Sequence, residues 1–91
     1  MESIKDTKEY KEITTLVMNS LKRNKAQLED KRNWYVWLWG NFWGGTIIEV
    51  AENHPDETSF VDWFPLECIH ISKELMLFRV ENKDKLIWRI N

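Results

Sequence analysis

The sequence predicts an α+β fold: an N-terminal amphipathic helix packed on a curved, mostly antiparallel sheet of five or six strands, close to a small barrel. Three observations predict it. A chain of 91 residues suits a single domain spanning 1–91. Apolar residues recur at a helical period up to residue 28 and at strand-like spacing from residue 33 onward. The later segments are joined by short connections, which favours antiparallel pairing because parallel neighbours need long crossovers. An apolar content of 43% with a net charge of −2 argues against disorder.

The helix is predicted over residues 6–28. Tyr10, Ile13, Val17, Leu21 and Leu28 fall on one stripe, with Lys8, Glu9, Glu12, Asn19, Lys22 and Arg23 opposite. Ser3 or Asp6 marks its start, and Asp6 with Glu9 has the spacing of a capping box. Asn24 interrupts the stripe. The β-rich part covers 33–91. Residues 34–39 are aromatic and β-branched, which suits a strand. Residues 40–45 are a glycine-bounded turn, and 46–52 a second strand with Ile48 and Val50 on one face. Residues 53–58 have the composition of a loop. Strands follow over 59–64 and 66–71, with Pro65 marking a bend or bulge. After a short turn at Ser72, Lys73 and Glu74, residues 75–80 and 85–90 are predicted to pair as a hairpin. Leu86, Trp88 and Ile90 share one of its faces.

Six tryptophans, four phenylalanines and two tyrosines supply the bulk that so small a core needs. Each buried aromatic removes about 150–250 Å² from water. Trp63 and Trp88 sit among aliphatic residues and are assigned to the core. The strand at 34–39 is unusual in being apolar on both sides: Trp34, Val36 and Leu38 point one way, Tyr35, Trp37 and Trp39 the other. One helix covers one face. The second face requires a curled sheet, a second subunit in a homodimer, or a partner.

Charge is segregated along the chain. Residues 1–32 hold eight Lys or Arg and six Asp or Glu, and residues 73–91 hold five and three. From Asn33 to Ser72 there are six acids (Glu49, Glu52, Asp56, Glu57, Asp62 and Glu67) and no Lys or Arg. Aromatics among carboxylates suit a basic protein surface better than phosphates, which call for cations beside the stacking rings. Only a fold that brought Arg79, Lys83, Lys85 or Arg89 beside the tryptophans would change that.

No motif carries chemistry. Cys68 and His70 share a strand face, and His54 is a third candidate, yet the spacings of a metal site are missing and no third group is placed to orient a Cys–His pair. Asp56, Glu57 and Asp62 fit a solvated loop better than paired catalytic carboxylates. Gly40, Gly44 and Gly45 lack the Lys and the helix of a phosphate loop and suit a hairpin instead. The expectation is therefore no enzyme, no cofactor and no metal. A single cysteine, no apolar run of membrane-spanning length and an N-terminus without an apolar leader point to a cytoplasmic protein without membrane contact.

Between residues 10 and 71, the leading helix, then Val36-Trp37-Leu38-Trp39-Gly40, Gly45-Thr46-Ile47 and Cys68-Ile69-His70-Ile71, resemble the helix-plus-bent-sheet layout of Sm-like small barrels. Trp39 stands where such proteins carry an asparagine before the first glycine, and the last hairpin has no counterpart. The resemblance implies a curled sheet and raises nucleic-acid binding by an Sm-like or SH3-like barrel as the alternative function. The residues themselves point to a small protein-binding module, of inhibitor, immunity or phage anti-defence type, that occupies a basic surface of its partner. Its contact surface would use Tyr35, Trp37, Trp39, Phe42 and Trp43 as anchors, with Glu49, Glu52, Asp56, Glu57 and Asp62 as steering charges.

Overall fold

The computed structural model describes residues 3–54, 56 and 62–91, with the backbone alone of Asn41 and Phe42. The N-terminal stripe forms helix α1, Lys8–Arg23, between two 3-10 turns, Ile4–Asp6 and Lys25–Leu28. The expected helix over 6–28 is thus broken near both ends. At the start, Thr7 and not Asp6 is the cap: its Oγ1 accepts the Tyr10 N–H at 3.2 Å. Ser3 caps the preceding turn by accepting from the Lys5 N–H. At the far end Asn24 turns to φ −108°, and its Nδ2 donates to the Ser20 carbonyl at 2.8 Å. Ile13 and Val17 are fully buried, and Tyr10 and Leu21 pack at the margin of the same core.

Among the described residues, four strands form one antiparallel sheet: β1 (Tyr35–Phe42), β2 (Gly45–Ala51), β3 (Phe64–His70) and β4 (Ile87–Arg89), in the order β3-β2-β1-β4. They make an open sheet of four strands where five or six close to a small barrel are expected. Residues 59–61 of one expected strand lie outside the described residues, and Asp62 and Trp63 are not in a strand. In the register, Val36 faces Val50 and Leu38 faces Ile48. These four pack with Ile13 and Val17 of α1 to make the core. β1 and β3 each carry a bulge. In β1 it falls between Trp39 and Phe42, where Gly40 takes φ +68°; in β3 Leu66 is the extra residue beside Pro65.

The expected strand over 75–80 is instead helix α2, Lys73–Asn82. Ser72 caps it, its Oγ accepting the Leu75 N–H at 3.2 Å. Leu75 and Arg79, one helical turn apart, are buried, while Leu77 and Val80 are exposed. α2 carries the chain from β3 at one edge of the sheet to β4 at the other. The shared face of Leu86, Trp88 and Ile90 survives the loss of the hairpin, since all three are buried. Trp88 stacks on Tyr10 at 6.0 Å between ring centroids, and its Nε1–H donates to Thr14 Oγ1 at 3.2 Å. The Asn33 N–H donates to the Ile90 carbonyl and the Ile90 N–H to the Trp34 carbonyl, extending this edge.

β3 is tied to α1 by Glu67. Its carboxylate accepts hydrogen bonds from Ser20 Oγ, from Asn24 Nδ2 at 3.1 Å and from the Arg23 guanidinium at 3.1 and 3.2 Å. Burial disfavours the charge, but the bonds from Ser20 and Arg23, the Arg23 charge and the bond from Asn24 outweigh it, so the carboxyl sits below its ordinary range.

Candidate tryptophan groove and hairpin tip

On the sheet face away from α1, β1 places Tyr35, Trp37 and Trp39 against Ala51, Glu49 and Ile47 of β2. The chain covers much of this face itself. Trp63, just before β3, stands edge-on to both Trp37 and Trp39, with centroids 4.7 Å away in each case. His54 meets Tyr35 edge-on at 5.3 Å, and the Arg89 guanidinium lies 4.3 Å from the centre of the same ring. Among the described residues, part of this cover comes from His54, just after β2, and Trp63, just before β3. Trp37 is only 4% exposed beneath it, whereas Trp39 keeps 40%. Trp63, read from sequence as core, is half-buried and forms part of this lid.

Beside the lid runs an open groove of about 720 Å³. Trp37, Trp39, Trp63 and Asp56 line it from the sheet side, and Arg79 and Lys83 from α2 and the turn after it. Arg79, from the expected strand over 75–80, and Lys83, from the expected turn after it, therefore share a groove with the tryptophans, with Asp84 also in the lining. Burial lowers the Arg79 pKa from its ordinary value. Asp56 also pairs with His54 at 3.5 Å.

The expected steering acids are dispersed. Glu52, Asp56 and Asp62 are exposed. Glu49 is 7% exposed, wedged between Trp37 and Pro65 on the neighbouring strands. Its Oε2 has no hydrogen-bond partner among the described residues, and burial pushes its pKa up. A carboxyl so placed cannot steer a partner. Glu57 and the Phe42 side chain lie outside the described residues.

Trp43 occupies the opposite situation. It and Gly44 form the two-residue loop of the β1–β2 hairpin, with φ +49° and +78°. Two positive φ values are the pattern of a type I′ turn, which asparagine or glycine adopts at least cost. A bulky residue there is rare, and this one is 83% exposed.

Cys68 and His70 are both exposed on edge strand β3, and the described residues contain no group of three potential metal ligands. No helix among the described residues is long and apolar enough to cross a membrane. Comparison with protein-family models, with curated proteins and with solved structures gives no match.

Proposed function

We propose that this chain is a small protein-binding module, of inhibitor or immunity type, which seats the Trp43 hairpin tip and the adjoining edge of Trp39 on a partner protein. The observation that carries the reading is Trp43: a large apolar side chain, almost fully exposed, held at a backbone conformation that disfavours it. Local rules are broken most often where function gains from the breach. An aromatic anchor at the apex of a stiff hairpin is also suited to insertion into a pocket, because little side-chain freedom is lost. Exposed Glu52, Asp56 and Asp62, in a stretch without Lys or Arg, favour a partner surface of positive charge.

Trp43→Asn separates the two roles. The variant is expected to gain up to about 1 kcal/mol of stability from the relaxed turn while losing its partner. With a photo-crosslinking residue at position 43, irradiation in lysate of the native cell should yield one dominant protein adduct. Excess unlabelled wild-type chain should abolish it, and excess Trp43→Asn chain should not. Equal competition by both would remove the hairpin from the interface.

The second reading is nucleic-acid binding, favoured by Lys83 in the same groove as Trp37, Trp39 and Trp63. It calls for tryptophan quenching by oligonucleotides and an affinity that falls steeply with salt. Absence of quenching at low salt excludes it.

A further inference from the structure

A second groove, also of about 720 Å³, shares no lining residue with the first. Met18 and Leu21 of α1, together with Leu28 and Ile90, make its floor aliphatic, and Lys22, Lys25 and Arg32 stand around it. These three cations come from separate parts of the chain: the last turn of α1, the 3-10 turn after it and the link to β1. Arg89 also borders the groove, but its guanidinium lies over Tyr35 on the other face of the sheet. The helix dipole accounts for Lys22 in the last turn. It does not account for Arg32, which the tertiary fold brings in.

Other bases nearby are engaged. Arg23 is held by Glu67, and Lys31 pairs with Asp30 and lies about equally close to the rings of Trp34 and Phe64. By contrast, none of these three groove cations forms an ion pair among the described residues. Glu29 is the one acidic side chain in the lining. The groove thus offers an apolar floor inside an excess of unpaired positive charge.

We propose that this groove binds an acidic amphipathic peptide segment of a partner protein, its apolar side chains on the floor and its carboxylates on the surrounding cations. The aliphatic floor decides between candidate anionic occupants. A nucleic acid would bring bases that need aromatic platforms, and no aromatic side chain lines this groove. A second copy of this chain, which would bring Glu74 and Glu81 beside the exposed Leu77 and Val80 of α2, is the occupant that the sedimentation measurement below distinguishes. A peptide that alternates apolar and acidic residues meets both requirements at once.

The test is fluorescence anisotropy with the full chain and a fluorescein-labelled peptide alternating leucine and glutamate. Saturable binding is expected at low salt, weakening as salt rises. Replacing the leucines by serine should weaken it about tenfold or more, and so should the charge reversals Lys25→Glu with Arg32→Glu. Circular dichroism reports whether the reversed chain is folded. Should it not be, the serine peptide and the salt series still decide. The proposal is overturned if the leucine–glutamate peptide does not bind, if the serine peptide or a single-stranded oligonucleotide binds as tightly, or if the folded charge-reversed chain binds unchanged. Salt-sensitive self-association seen by sedimentation and abolished by the same reversals would assign the groove to a second copy and overturn it equally.

Discussion

Two residues show how much a single side chain can decide in this fold. Glu49 is a carboxyl held among apolar neighbours, with its folded pKa above the ordinary value because of burial. Stability associated with the protonated form is full below the unfolded pKa and is lost as pH rises through the folded one. Glu49→Gln should therefore stabilise the protein by about 1 kcal/mol at neutral pH. The advantage should vanish below about pH 4, where the carboxyl is protonated in both states. Urea denaturation at the two pH values measures this, and an advantage that did not depend on pH would contradict the buried charge. Gly45 is limited by space rather than by conformation. A Cβ there would collide with the Ile69 carbonyl and press on Cys68 Sγ at 3.3 Å. Because a carbonyl on the paired strand cannot swing away, Gly45→Ala should destabilise by about 2 kcal/mol or more. Gly44→Ala, with open space but φ +78°, should lose only about 1 kcal/mol. Thermal melts that ranked these two the other way would mean that strain outweighs crowding at the turn.

At the scale of elements, the parts legible in the sequence were those with a strong period. The α1 stripe, the two-faced β1, the Ile48–Val50 face of β2 and the Leu86–Trp88–Ile90 face all place their residues as the spacing implies. α2 was not legible because Leu75, Met76, Leu77, Phe78 and Val80 are apolar almost all round the helix, so no stripe stands out. Two local signals did exist: Ser72 before Lys73 and Glu74, and a run of good helix formers with no β-branched residue before Val80. Missing α2 also left open whether Arg79 and Lys83 share a groove with the tryptophans, so the aromatic region read as acidic. The opposite lesson comes from Glu67, an acid from that same stretch whose task is to join β3 to α1. Its pKa is depressed, so its contribution is present above the ordinary carboxyl range and is lost as pH falls through the folded pKa. Glu67→Gln should cost about 1 kcal/mol at neutral pH, discounted for the exposure of Arg23, and should make the acid limb of the stability profile shallower. An unchanged acid limb would show that the link is not electrostatic.

For the whole molecule, the acidic and basic stretches of the chain do not map onto two simple poles. Folding buries Glu49, joins Glu67 to Arg23, carries two cations to the tryptophan groove and leaves three others around an aliphatic floor. Charge counted along a chain therefore predicts partners only after the topology is known. The same topology has a temporal side. Trp88 closes on Thr14 and Tyr10 across more than seventy residues, and β4 completes the sheet beside β1. Contacts of such long sequence separation form late and slow folding. During synthesis, α1 and the β1–β2 hairpin emerge with a core that stays incomplete until residues 86–90 leave the ribosome. A nascent chain stalled at residue 84 should be protease-sensitive and chaperone-bound, whereas one extended beyond residue 91 by a linker that clears the exit tunnel should be protected in a single step.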